Sequence, residues 1–135
     1  MLDAVHVYLC RHAKAAPGEP DELRELTGRG RTQAQELGER LAAFPEPPIV
    51  VLTSPLVRAS QTAEAIAAAT GARLQVEPRL APGATVDDLR ESVAGLDGPV
   101  ATVGHQPDCS EIALAVTGAD PGFAPGAMAE LDVEP

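Results

Sequence analysis

Val5-His6-Val7-Tyr8-Leu9-Cys10-Arg11-His12-Ala13-Lys14 is an apolar run that ends abruptly in Arg-His. That is the pattern of a buried strand whose carboxyl end presents a cation and an imidazole. The same event occurs twice more. Ile49-Val50-Val51-Leu52 runs into Thr53-Ser54-Pro55-Leu56-Val57-Arg58, and Val100-Ala101-Thr102-Val103 runs into Gly104-His105-Gln106-Pro107. In open α/β sheets ligands sit beyond the carboxyl ends of the strands. Strand ends delivering Arg11, His12, Arg58 and His105 are therefore expected to converge on one place, and that place would attract an anion.

The segments between these strands read as helices. Thr27 offers an N-cap, and Ala34, Leu37 and Leu41 fall at helical spacing through Gln33 to Ala43, before Pro45, Pro47 and Pro48 forbid continuation. Ser54-Pro55 suits an N-cap with Pro at the first helical position, and Ala59, Ala63, Ile66 and Ala67 form a stripe that stops at Gly71. Leu74-Gln75-Val76 is a short third strand. Thr85 with Asp88 forms a variant capping box ahead of Val86, Leu89 and Val93. Pro107 and Asp108 open a helix that ends at Gly118, and Ala127 to Val133 alternates as a last strand at an edge. Ala13 to Glu25, with Pro17, Gly18 and Pro20, is a loop beside the expected site. The β, α, β, α, β, α, β, α, β order predicts an α/β fold, a three-layer α/β/α sandwich with a mostly parallel sheet and right-handed crossovers.

The 135 residues suit a single domain, 1–135. Apolar residues make up 44% and aromatics only 2%, so the core must be built from closely packed Ala, Val, Leu and Ile. With 10 Lys+Arg against 20 Asp+Glu, the net charge of -10 argues against nucleic acid as a partner. Lys14 is the sole lysine among the ten cations. Arginine offers a planar fork that fits phosphate oxygens, so Arg beside His at strand ends in an acidic chain selects a small local anion. The N-terminus enters a strand almost at once, and no apolar run approaches the roughly 18 residues that span a bilayer. A cytoplasmic address and no membrane partner are expected. Cys10 and Cys109 are too few for a disulfide framework and read as free thiols.

Phosphoryl transfer needs an in-line nucleophile, cations on the equatorial oxygens and a proton for the leaving group. His12 is the candidate nucleophile, since neutral imidazole can attack phosphorus and form a covalent intermediate that water cleaves. Arg11 and Arg58 would hold the oxygens, and His105, as imidazolium, would donate a further hydrogen bond.

Leu9-Cys10-Arg11-His12-Ala13, Leu26-Thr27-Gly28-Arg29-Gly30-Arg31-Thr32-Gln33-Ala34, Ser54-Pro55-Leu56-Val57-Arg58-Ala59-Ser60-Gln61-Thr62-Ala63-Glu64 and Gly104-His105-Gln106-Pro107 together resemble the histidine phosphatase superfamily. Within it they are most similar to the small phosphohistidine phosphatase (SixA-like) branch. The resemblance implies a phosphoglycerate mutase-like fold, a phosphohistidine intermediate on His12, phosphate binding by Arg11, Arg58 and His105, and neither metal nor cofactor. It also carries a departure. Larger members have a catalytic Glu shortly after the segment matching Arg79-Leu80, whereas Ala81-Pro82-Gly83 stand there in this chain, with no carboxylate until Asp87. The general acid is missing or comes from Glu19, Asp21 or Glu22. A ring-protonated phosphohistidine leaves as neutral imidazole, whose conjugate acid has a pKa of about 6.5, and so needs less help than an alkoxide, which tilts the substrate toward phosphoramidates.

Beside each functional reading stands a plainer one. Ser54 is either a helix cap or a phosphate ligand, Lys14 touches substrate or faces water, and Thr27 is a helix cap. His6 is structural or on the surface. Cys10, His12, His105 and Cys109 invite a zinc reading, but their spacing matches no structural zinc pattern and the adjacent arginines repel a cation. Cys109 is a buried inert thiol or, near a helix amino-terminus, an oxidisable one. The expected function is a phosphatase acting through phospho-His12 on phosphohistidine in a protein. The alternatives are a phosphomonoesterase for a small phosphorylated metabolite, or a phosphate- or phosphoprotein-binding module without turnover.

Overall fold

The computed structural model describes residues 3–135. The strands are β1 (Val5–Arg11), β2 (Val50–Thr53), β3 (Arg73–Val76), β4 (Val100–Gly104) and β5 (Met128–Val133). Between them lie the helices α1 (Gly28–Ala42), α2 (Val57–Thr70), α3 (Val86–Val93) and α4 (Asp108–Thr117), with short 3-10 turns at Asp21–Leu23 and Pro78–Leu80. The strands form one sheet in the order β3-β2-β4-β1-β5. β1, β2, β3 and β4 pair in parallel, and β5 adds antiparallel to the edge beside β1. This is the mixed α/β sandwich that the alternating pattern predicts.

Because successive side chains on a strand face opposite ways, β1 feeds two cores. Val5, Val7 and Leu9 join Val50, Leu52 and Val100 in a layer covered by Leu89 and Val93 of α3 and by Ile112 and Ala113 of α4. Tyr8 and Cys10 join Val51, Ala101 and Val103 in a layer covered by Leu37 and Leu41 of α1 and by Ala59, Ala63 and Ile66 of α2. Burial on both faces explains why the central strands read as continuous apolar runs rather than as alternation.

Local chemistry sets the helix ends. The Thr27 hydroxyl accepts from Gly30 N–H at 2.9 Å, and Thr85 and Asp88 close a reciprocal capping box. Gly71 and Gly118 terminate α2 and α4 in the left-handed conformation, with φ of 75° and 81°. Two expectations are corrected. β2 is displaced by one residue, leaving Ile49 outside the strand and half exposed, while Thr53 is inside. Ser54-Pro55 does not start α2: the N-cap position is Leu56, without a side-chain cap bond. The Ser54 hydroxyl instead accepts from Leu56 N–H at 3.3 Å and contacts the His105 ring, forming a turn ahead of the helix.

Two glycines let α1 approach its neighbours. A Cβ at Gly38 would lie 2.8 Å from the carbonyl oxygen of Ala65, so Gly38 allows α1 and α2 to touch backbone to backbone. A Cβ at Gly30 would overlap the carbonyl of Lys14, the residue just past the end of β1. Thr27 N–H donates to that same carbonyl at 3.0 Å, so the first turn of α1 is seated on the Arg11-to-Lys14 segment.

Gly30→Ala is therefore expected to lower stability by about 1–3 kcal/mol through overpacking. Gly28→Ala, where a Cβ meets nothing within 4 Å, should leave stability unchanged or raise it by up to about 1 kcal/mol. Urea unfolding of the two variants checks the contrast, and equal losses would show that the close approach to Lys14 carries no weight.

Candidate active site

The site is set by strand register. Val103 of β4 stands abreast of Cys10 of β1 on one side and of Thr53 of β2 on the other. The residues that follow each strand therefore emerge side by side. Main-chain bonds extend the alignment past the strands: His12 N–H donates to Gly104 O, and Ser54 N–H to Val103 O, each at 3.0 Å. The chain leaves β1 toward α1 on one face and β4 toward α4 on the other, so a crevice opens between these adjacent strand ends.

A cavity of about 350 Å³ occupies that crevice, lined by Arg11, His12, Lys14, Ala15, Arg24, Arg58, Pro82, His105, Gln106 and Pro125. The imidazole centroids of His12 and His105 are 5.2 Å apart with their planes inclined by 60°. Arg58 and His105 are only 5% and 3% exposed. Each arginine is steered by a main-chain carbonyl. Arg11 Nη1 donates to Phe123 O at 2.8 Å, Arg58 Nη1 to Asp21 O at 2.9 Å, and Arg24 Nη1 to Ala16 O at 3.1 Å. The Nε groups of Arg11 and Arg58 are buried without a partner among the described residues. Buried donors of this kind are costly unless satisfied, and phosphate oxygens in the cavity can satisfy them.

The tautomer of His12 follows from its neighbour. Its Nδ1 lies 2.6 Å from Ala13 O, which can only accept, so Nδ1 carries the hydrogen and Nε2 keeps its lone pair. Burial, reinforced by the charges of Arg58, Arg11 and Arg24, holds the His12 pKa below its ordinary value despite that hydrogen bond. The ring is therefore neutral at physiological pH, with a free lone pair on Nε2, the state that nucleophilic attack would require. His105 is pushed further, to about 4, by burial first and then by His12 and Arg58. His105 is neutral without an anion, and an anion opposing the surrounding positive charge would favour the imidazolium expected from the sequence.

The structure brings Arg11, His12, Arg58 and His105 onto one cavity wall. Ser54 is not on that wall. Its side chain is wholly buried, with its hydroxyl 2.7 Å from His105 Nε2, so it holds the imidazole from behind. Lys14 lines the cavity. Glu19, Asp21 and Glu22 do not, and the Asp21 carboxyl is held below the usual range by Arg24 and then Arg58, which leaves it ionised and unable to donate a proton. Cys10 and Cys109 are buried off the cavity, and burial pushes the Cys109 thiol up to about 12. The inert reading of Cys109 is the one that fits. His6 faces Asp132 and Glu130 across β1 and β5, away from the site.

Reading the sequence overlooked Arg24, Gln106 and Pro125. Gln106 and Arg24 were within reach: one follows His105 directly, and the other stands three residues after Asp21 in a loop already placed beside the site.

Among known proteins, the family described as "Histidine phosphatase superfamily (branch 1)" matches residues 7–82. An uncharacterized protein of Picosynechococcus sp. (strain PCC 7002) is 39% identical over 120 residues, covering 83% of this chain and 73% of that protein. A protein assigned as the phosphohistidine phosphatase SixA from Agrobacterium tumefaciens superposes with a TM-score of 0.82 at 30% identity, covering 96% of this chain and 91% of the other. The fold is shared with a protein histidine phosphatase SixA complexed with tungstate, at a TM-score of 0.85 and 24% identity, covering 96% and 89% of the two chains.

Titration of the histidine ring resonances by NMR should give midpoints below 6.5 for both His12 and His105, with His105 near 4. The unfolded chain takes up these protons first, so both groups contribute stability that is present above pH 6.5 and is lost as pH falls through about 6.5 to 4. His105→Asn should flatten part of that slope in thermal unfolding. A His105 midpoint at or above 6.5 would overturn the electrostatic account.

Proposed function

The protein belongs to the histidine phosphatase superfamily, and on that premise we propose that it hydrolyses the phosphoramidate bond of phosphohistidine in a protein. His12 Nε2 attacks phosphorus of a phosphohistidine whose other ring nitrogen is protonated, the bond from phosphorus to the substrate nitrogen breaks, and the substrate departs as neutral imidazole with the electron pair. Arg11 and Arg58 hold the phosphoryl oxygens. A dianion in the cavity reverses the electrostatic part of the depression at His105, which takes up a proton with the substrate and hydrogen-bonds the transferring group. Water then attacks phosphorus in phospho-His12, the bond to Nε2 breaks with its electron pair returning to the neutral ring, and phosphate leaves with both protons of the water. Ser54 keeps the His105 ring in place throughout.

One observation supports this substrate class over a phosphate ester. Among the described residues the cavity wall holds two imidazoles and four cationic side chains but no carboxylate, and Pro82 lines it in the segment where the larger relatives are expected to carry Glu. An alkoxide leaving group without a general acid forfeits about 10²–10⁴-fold in rate. Imidazole, with a conjugate acid of pKa about 6.5, forfeits far less.

Phosphate release should be compared on a phosphohistidine-bearing protein and on a panel of sugar and metabolite monoesters. The phosphohistidine protein is expected to exceed the monoesters in kcat/KM by about 10²-fold or more, and His12→Ala should bring all turnover to background. Brisk hydrolysis of monoesters with phosphohistidine untouched would overturn the reading in favour of a metabolite phosphatase. Phosphate binding with no turnover of any substrate would make the protein a binding module.

A further inference from the structure

We propose that Asp21 is a positioning residue that locks Arg58 of α2 and Arg24 of the loop into one anion-binding pair at the cavity. The inference rests on the phosphoryl-site reading above and extends it to residues outside the strand ends. Asp21 contacts Arg58 at two points, its carbonyl accepting from Nη1 at 2.9 Å and its Oδ2 from Nη2 at 3.2 Å. Its other carboxylate oxygen, Oδ1, accepts from Arg24 Nε at 2.9 Å. One residue thus grips both guanidinium groups.

The side on which Asp21 stands decides its role. Arg58 and Arg24 both line the cavity, and Asp21 does not. Its side chain is 61% exposed while that of Arg58 is 7% exposed, so the carboxylate approaches from the solvent side. A carboxylate placed there leaves the remaining N–H groups of the two forks for an anion; it neither occupies the anion's place nor reaches the leaving group. An exposed ion pair ordinarily contributes about 0–1 kcal/mol. Here the pairing fixes a buried planar fork at two points, where orientation governs how well phosphate oxygens are met. The 3-10 turn makes the arrangement local, because side chains three residues apart eclipse on such a turn, which puts Asp21 and Arg24 together. The grip on Arg58 then ties the Ala13 to Glu25 loop to the first turn of α2.

The test is calorimetric titration with inorganic phosphate of the wild type, Asp21→Ala, Asp21→Asn, Arg24→Ala and the Asp21→Ala/Arg24→Ala double variant, with steady-state kinetics alongside. Asp21→Ala is expected to weaken phosphate binding about ten-fold, with Asp21→Asn intermediate and KM raised more than kcat is lowered. Because Asp21 holds Arg58 as well as Arg24, the double variant should bind more weakly than either single variant, yet by less than the product of the two separate losses. Unchanged or tighter phosphate binding in Asp21→Ala overturns the proposal, as do losses that multiply in the double variant. Should Asp21→Ala fail to fold, Asp21→Asn and Arg24→Ala decide the matter in the same assay. A wild type that binds no phosphate is a different result, and it overturns the phosphoryl-site reading itself.

Discussion

The site depends on three parallel strands ending level. With Thr53, Val103 and Cys10 abreast, the next residues of three distant segments are forced into one neighbourhood. A shift of one residue in either pairing would turn His12 or His105 to the opposite face of the sheet, since the side-chain period of a strand is two. The register is held where it is because both faces of these strands are buried under helices, so any slip would move a full set of apolar side chains out of its core. Packing far from the cavity thereby fixes the distance between two imidazoles inside it.

That neighbourhood gathers like charges. Four of the ten Lys and Arg residues, Arg11, Lys14, Arg24 and Arg58, face one cavity in a chain with a net charge of -10. They stay together because the three arginines are tethered to main-chain carbonyls, which orient a guanidinium without cancelling its charge. Asp21 is the carboxylate that reaches two of them, and it does so from outside the cavity. Burial first, reinforced by the positive charge around the cavity, holds the pKa of both histidines below the ordinary value and keeps them neutral. The acidic exterior and the cationic pocket together favour a small, highly charged group over an extended polyanion.

Much of this was legible in the chain. Apolar runs of strand length alternate with capped, 3.6-periodic segments, and the Thr85-to-Asp88 box and the glycines after α2 and α4 act locally, so sequence alone places them. Arg11, His12, Arg58 and His105 were legible because each sits at or one turn beyond a strand end, where topology decides its destination. What escaped depends on contacts across many residues. Ser54 had the look of a helix cap because its competing partner, His105, is 51 residues away. The ligand-free protonation of His105 is likewise not legible in the residues beside it, because burial and neighbouring charge set it.

Among the described residues the cavity wall carries no carboxylate, and its Pro82 segment is held from behind. Asp108, the first residue of α4 and 6% exposed, accepts from Gly83 N–H at 2.9 Å and from Ala84 N–H at 3.2 Å. Gly83 adopts a φ of 100°, a conformation that a residue with a side chain rarely takes, which lets both amides turn toward one oxygen. The Pro82 wall is thus pinned to the helix that follows His105, three residues from the imidazole itself. A pair of hydrogen bonds outside the cavity thereby fixes the part of its wall that Pro82 forms.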